Sequence, residues 1–400
     1  MNKAFRASFE YGGKINWFPG HMIKASKEVR ETLKRIDIVL EIRDSRAPIS
    51  SENPLLSDII KEEQRENTSH VIIFNKADLS NHNLQKKIQQ KFENRDKGVS
   101  VAFTQAAMSK AASHAGQSAA ALSQISHPRH PYNAVVTAIK FHKDWLNEKK
   151  RQQQEIQLQR LQEQKDEKER IEQLNNNNNI NGSTNMINTT TTTTTSTPIQ
   201  PKKINTTKID SSKLKKELNL MVIGLPNLGK SSIINSIRTA SSMAKSAKTG
   251  ALPGVTKHIS GFRVLDDPPA FLVDTPGIMI PGSMKDIEHA LTLAAIGSIS
   301  ERIIDIKVVA DFLLFKMNQL GQTTYVKALD YPEGPTDDIH KLLSHMCMKH
   351  GFINNHNTLE SLKNSSSSHN SYDYNQASKL FLQMYRDGKF GHFSLDKIPP

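Results

Sequence analysis

Cysteine is nearly absent from this chain: Cys347 stands alone among 400 residues. That excludes an intrachain disulfide framework and a cysteine-ligated zinc cluster, and it fits a reducing compartment. No stretch approaches the ~18 consecutive apolar residues of a membrane-spanning helix, so any membrane association is expected to be peripheral. Acidic side chains are the minority, 40 against 53 Lys and Arg, for a formal net charge of +13. A basic balance of this size favours an acidic partner, a nucleic acid or an anionic membrane surface, with plain solubility as the alternative. Apolar residues also thin out in one internal region. Gln, Glu, Lys and Arg dominate 145–174, where Ile156, Leu158, Leu161, Ile171 and Leu174 are too sparse for a coiled-coil seam. An Asn run at 175–179 and a Thr run at 189–195 follow. The expectation is a solvated helix and then disorder over 175–210, leaving two compact units.

Short apolar, β-branched runs mark the rest: DIVLEI at 37–42, VIIF at 71–74, VSVAF at 99–103, LNLMVIG at 218–224 and AFLVDT at 270–275. Such continuous runs with helical stretches between them predict an α/β fold around a parallel sheet covered on both faces. After 283 the apolar spacing turns helical, as in Ile287, Ala290, Leu291 and Ala294, or Ala377, Leu380, Phe381 and Met384. The expected organisation is an N-terminal segment over 1–25, one half of a nucleotide domain over 26–144, a polar insert over 145–213, the second half over 214–284, and a helical C-terminal domain over 285–400. The first sixteen residues carry Lys3, Arg6 and Lys14 against Glu10, the charge sense of a short mitochondrial targeting segment.

Three motifs carry the chemistry. GLPNLGKSS at 224–232 follows a predicted strand and opens a helical pattern, the context a phosphate-binding loop requires. Gly224 and Gly229 let the backbone wrap phosphate, Lys230 neutralises β and γ charge, and the Ser231 hydroxyl ligates magnesium; Asn227, Leu228 and Ser232 line the same loop. DTPG at 274–277 closes the AFLV strand, where Asp274 holds magnesium through water and the Gly277 N–H meets the γ-phosphate. Thr256, in the irregular LPGVTKH segment, is placed to bring a hydroxyl to magnesium when γ-phosphate is present. NKAD at 75–78 closes the VIIF strand. Asn75 and Asp78 share one loop with Lys76 between them, and a carboxylate accepting from guanine N1–H and its exocyclic amine discriminates against adenine. The base-reading motif precedes the phosphate loop in the chain, so the order is circularly permuted. Permutation is tolerable because a sheet-edge site needs its loops in place, whatever their order, if the original termini were close.

These residues resemble the circularly permuted GTPases of ribosome assembly, the RbgA/YlqF family with its mitochondrial members. NWFPGHM at 16–22 is the most specific element, joined by DSRAP at 44–48. The resemblance spans 14–136 and 214–400. It implies a P-loop GTPase that binds GTP and GDP with magnesium, acts as an assembly factor for a large ribosomal subunit precursor of ribosomal RNA and proteins, docks in the GTP state and leaves on hydrolysis. It further implies a monomer in the mitochondrial matrix, peripheral on the inner membrane if membrane-associated at all, with the cytoplasm as the alternative location. Ile278 stands where Ras-like enzymes carry the water-orienting glutamine. The family implies that His21 of NWFPGHM takes that role, and Asn227 matches the loop asparagine of GTPases that use a potassium ion. FTQAAM at 103–108 matches loosely the family's short loop supporting the base. Arg386 and Lys389 are open to an RNA role or to a solvated helix face. Two other classes compete: an RNA-binding scaffold with a vestigial nucleotide site, against which the intact Lys230, Ser231, Asp274, Asn75 and Asp78 argue, and a translation-regulating or tRNA-modifying GTPase, against which the permuted order argues.

Overall fold

A computed structural model describes residues 5–13, 16–17, 21–63, 67–95, 99–106, 127–180, 217–244, 261–274, 282–283, 287–354 and 371–398. Six strands form the main sheet: β1 (Ile38–Asp44), β2 (Ser69–Asn75), β3 (Val99–Phe103), β4 (Leu218–Gly224), β5 (Gly261–Asp266) and β6 (Pro269–Asp274), in the order β3-β2-β1-β4-β6-β5. All neighbours run parallel except β5, which lies antiparallel to β6 at the edge. The five strands read from apolar runs are present. The edge strand was not anticipated, because GFRVLD alternates in burial and carries Arg263 and Asp266, so it lacks the continuous apolar signature of a strand covered on both sides.

Counted from β4, which leads into the phosphate-loop sequence, the sheet reads 2-3-1-4-5-6. The numbering runs continuously through the junction between β3 and β4, so the chain is a doubly wound sheet cut open between its strands three and four and rejoined between six and one. The central strands split their side chains by alternation. Ile38, Leu40, Ile42, Leu220, Val222 and Leu272 face one core. Val39, Met221, Ile223, Phe271 and Val273 face the other, beneath Val29 and Leu33 of α1 (His21–Leu33) and Ile59 and Ile60 of α2 (Pro54–Glu63). The edge pair β2 and β3 packs on α3 (His82–Arg95) through Phe74, Ile88 and Phe92.

The first core continues, unbroken, into α5 (Lys230–Ala244) and the C-terminal helices: α6 (Ile287–Ala295), α7 (Ile306–Gln319), α8 (Thr324–Leu329), α9 (Ile339–His350) and α10 (Tyr374–Arg386). Asp305, Asp338 and Asp373 cap α7, α9 and α10 by accepting from backbone N–H groups of the first turn. Both halves of the sheet and these helices make one compact unit, 1–142 with 217–400, while 143–216 forms a second. The N-terminal segment belongs to the first. The Arg6 guanidinium donates to Asp311 at 2.7 and 3.0 Å, its backbone N–H donates to Asp337 at 2.7 Å, and Phe9 meets Phe312 edge-on. Arg6, expected only as targeting charge, is therefore a tether.

In the second unit the polar stretch is helical and exposed, with Ile156, Leu158, Leu161 and Ile171 all facing solvent. Its helix α4 (Pro131–Ile180) begins in the first unit and runs through the Asn run to Ile180, past the point where disorder was expected. Extending a formed helix adds one bond per residue fixed, whereas nucleation is the unfavourable step. The remainder of the expected disordered segment, 181–210, lies outside the described residues. Within the first unit, the residues that border 143–216 in the chain are bonded at the amino edge of the sheet. The His142 ring bonds the Ser69 hydroxyl at 2.9 Å, the Ser69 N–H donates to the Asp37 carbonyl, and the Asn219 N–H donates to the Asp37 carboxylate.

Candidate nucleotide site

The carboxyl ends of β4, β1 and β2 lie side by side, at the point where the strand order reverses, which is where doubly wound sheets bind ligands. β4 ends at Gly224, where an added Cβ would sit 2.5 Å from the Ile42 carbonyl of β1; only glycine lets the two strands approach this closely. The loop 225–229 then turns into α5, whose first residue is Lys230. Lys230 is nearly buried and its ammonium donates to the Leu225 carbonyl at 2.8 Å, inside its own loop. Ser231 and Ser232 follow in the first helical turn, Ser231 exposed, where backbone donors have no intrahelical partner and attract anions.

The NKAD loop is locked to this one through Asn75. Its amide donates to the Leu228 carbonyl at 2.9 Å, and its side-chain oxygen accepts from the Ala106 N–H at 3.2 Å and the Thr104 hydroxyl at 3.4 Å. A Cβ on Gly229 would collide with that same amide. Thus Asn75, Leu228, Gly229 and Thr104 form one joint, with the Ala77 N–H donating to the Thr104 carbonyl beneath it. Residues 104 and 106, in the described part of the FTQAAM segment, thus back the NKAD loop. Asp78 lies on a short 3-10 turn, Ala77–Leu79, and is partly exposed.

Lys76 and Asn227 are two of the three non-glycine residues with positive φ among the described residues, each at 58°. Left-handed backbone at such residues costs of order 1–3 kcal/mol and clusters at working sites. The two strained positions meet: the Lys76 ammonium donates to the Asn227 carbonyl at 3.3 Å and to the Asp44 carboxylate at 2.9 Å. Burial pushes the Lys76 pKa below the ordinary lysine value, against the pull of Asp44. The Asn227 amide donates to the Gly297 carbonyl, just beyond α6, at 2.9 Å.

Asp44, the last residue of β1 and the first of DSRAP, is a buried charged centre whose role does not follow from the motif alone. It is wholly buried and takes two guanidinium bonds from Arg46, at 2.9 and 2.8 Å, besides the Arg46 N–H. Burial would raise its carboxyl; Arg46 and then Lys76 outweigh that and hold it well below the ordinary carboxylate range. The rest of the DSRAP loop is a seat for the C-terminal helices and tail. Arg46 donates to the Arg386 carbonyl and lies over the Tyr385 ring, while its own carbonyl accepts from the Leu395 N–H. Asp396 accepts from the Ile49 and Ser50 N–H groups and the Ser50 hydroxyl. Arg386 is engaged within the protein: it donates to the Ala294 and Ala295 carbonyls and faces Glu301. The sequence signal for all this was a strand ending in Asp beside the NKAD strand, in register Asp44 with Asn75.

Asp274 ends β6 in register with Val222 of β4, near the start of the phosphate loop. His21 opens α1, and the Asn16–Trp17 strand before it pairs antiparallel with Gly282–Ser283, downstream of DTPG. Thr256, Gly277 and Ile278 lie outside the described residues. A hydroxyl on Ser231 and a single strand-end carboxylate on Asp274 are hard oxygen donors, and the described residues hold no cluster of three His, Cys, Asp or Glu. Hard oxygen donors of this kind suit magnesium, which keeps waters and shares substrate phosphates.

The family described as "50S ribosome-binding GTPase" matches residues 219–341. The chain is 28% identical to Mitochondrial GTPase 1 of Schizosaccharomyces pombe, covering 98% of this chain and 93% of that protein. It is 26% identical to Mitochondrial ribosome-associated GTPase 1 of Mus musculus, covering 98% and 94%. A solved structure described as GNP-bound YlqF from T. maritima is 14% identical, covering 94% and 98%, with a TM-score of 0.47. The permuted strand order and the joined GLPNLGKSS and NKAD loops thus stand beside similarity over nearly the whole chain to mitochondrial GTPases: the chain is a GTPase with circularly permuted motif order.

Proposed function

We propose that this GTPase is a mitochondrial assembly factor for the large ribosomal subunit, docking in its GTP state and leaving on hydrolysis. The observation that carries the site assignment is the Asn75 joint, which unites a guanine-reading loop and a phosphate loop that lie 153 residues apart in the chain. In this reading Asp78 accepts from the guanine edge, Lys76 lies along the base and ribose, and Leu228, Gly229, Lys230, Ser231 and Ser232 surround the phosphates. Lys230 exchanges the Leu225 carbonyl for phosphate oxygen, a swap favoured because the phosphate carries a full negative charge and the carbonyl only a dipole. Ser231, Thr256 and Asp274 would hold magnesium and Asn227 potassium, which would supply positive charge beside the phosphates when bound.

His21 orients the attacking water, replacing the glutamine that Ile278 cannot supply. Water oxygen bonds to the γ-phosphorus, the bond to the β-bridging oxygen breaks, and GDP and phosphate result. The Gly277 N–H and Thr256 hydroxyl are released when γ-phosphate departs, which loosens the docked form. The ribosomal target and the mitochondrial matrix rest on the names of the relatives and on the reducing-compartment and basic composition. The factor acts as a monomer, with no more than peripheral contact with the inner membrane; no described helix is long and apolar enough to cross one.

The test is turnover of purified protein with and without isolated large mitochondrial subunits in potassium or sodium buffer. Stimulation by large subunits, stronger in potassium, is expected. Equal turnover with and without subunits would remove the ribosomal reading, and equal turnover in the two salts would remove the potassium role of Asn227.

A further inference from the structure

We infer that Asp44 is a positioning residue for nucleotide binding, holding the Lys76 ammonium in place from inside the protein. The inference rests on the reading of Lys76 as a base-flanking residue. A lysine stem is long and flexible, and it is useful along a flat base only if its end is fixed. Asp44 supplies that fixed end. Its carboxylate is wholly buried at the end of β1, oriented by two side-chain bonds and one backbone bond from Arg46, and it presents Oδ2 to Lys76 Nζ at 2.9 Å. The second Lys76 bond, to the Asn227 carbonyl at 3.3 Å, ties the same ammonium to the phosphate loop. Lys76 thus lies between the two loops with both ends determined, its backbone by a left-handed turn and its head by Asp44.

A purely stabilising ion pair does not require this arrangement. Arg46 alone already neutralises Asp44, and a buried pair is weak evidence for stability. The Arg46 side of the cluster reaches the Arg386 carbonyl and the Tyr385 ring, so Asp44 is oriented by the seating of α10 as well as by its own loop.

The experiment compares release of a fluorescent GDP analogue and steady-state GTP turnover for wild type, Asp44→Asn, Asp44→Glu, Lys76→Ala and the Asp44→Asn/Lys76→Ala double variant. Asp44→Glu keeps a charge for Arg46, so it reports even if Asp44→Asn does not fold. Release from Asp44→Asn should be about tenfold faster, with a matching rise in KM and kcat at saturating GTP within about twofold, because preorganisation is lost and the chemical step is not. Asp44→Glu should release severalfold faster. The double variant should be no worse than Lys76→Ala, since one interaction is removed twice. Wild-type release from both Asp44 variants, or full additivity in the double variant, would overturn the inference. Normal binding by Lys76→Ala would instead overturn the base-flanking assignment on which it rests.

Discussion

At the residue scale the proposed site depends on contacts in which one atom decides. Gly229 has φ of +94°, and a Cβ there would strike the Asn75 amide. Gly229→Ala therefore has to bend the loop or expel Asn75, and we expect nucleotide affinity to fall by about tenfold or more, read by titration with a fluorescent GDP analogue. Asn75 is buried and makes three side-chain bonds, to Leu228, Thr104 and Ala106. Replacing it by Ala leaves buried donors and acceptors without a partner, so Asn75→Ala should destabilise the fold by about 1–3 kcal/mol in urea unfolding as well as weaken nucleotide binding. An unchanged unfolding midpoint would show that the joint is less important than its geometry implies. The two glycines and the NKAD tetrapeptide were legible in the chain. That Asn75 is a brace between loops was not, since nothing local in an NKAD turn specifies which carbonyl its amide will meet.

At the scale of elements, the DSRAP loop and the C-terminal tail hold each other. Asp396 accepts two backbone N–H groups and one hydroxyl from Ile49 and Ser50, at 2.6, 2.9 and 2.5 Å. Asp396→Ala removes these bonds and leaves the loop's donors to water, so we expect a loss of about 1–3 kcal/mol, measured as a lower unfolding midpoint, with increased hydrogen exchange at 46–51 and 393–398. Exchange confined to the tail would refute mutual support. Helix and strand positions were readable from periodicity, and the five parallel-sheet strands follow from it. β5 was not, because an antiparallel edge strand is exposed on one side and carries no continuous apolar run. The fate of Arg6 and Arg386 was equally hidden. A cation reads as solvated until the fold brings Asp311 and Asp337, or the carbonyls of Ala294 and Ala295, to within bonding distance.

At the scale of the whole molecule, the residues of the first unit that border 143–216 in the chain are bonded at the amino edge of the sheet, His142 to Ser69 and Asn219 to Asp37. Replacing 146–213 with a short Gly/Ser linker should leave GTP turnover within about twofold of wild type, because loop length adds closure entropy only logarithmically. A large fall in kcat would assign the insert a part in catalysis. Acid stability should reflect the buried carboxylate network. Burial would raise the Glu41 carboxyl, but Arg43 and His70 carry it down from 4.5 to about 2 in the folded protein. Because the folded pKa is depressed, its stabilising contribution, about 3 kcal/mol, is complete above pH ~5 and is lost as pH falls toward 2. Asp44 acts in the same sense. Urea unfolding between pH 7 and pH 3 should show a loss of stability that Glu41→Gln largely removes; an identical slope in that variant would exclude Glu41 as its source. Motif identity, strand runs and permuted order are local properties, and the linear chain specified them because each depends on residues within a few positions of one another. The pairing of Asn75 with Leu228, the burial of Asp44 between Arg46 and Lys76, and the bond between Asn219 and Asp37 depend on residues up to 182 positions apart. Only the packed sheet decides those, because register and strand order are set by the summed burial of two cores that no short segment encodes.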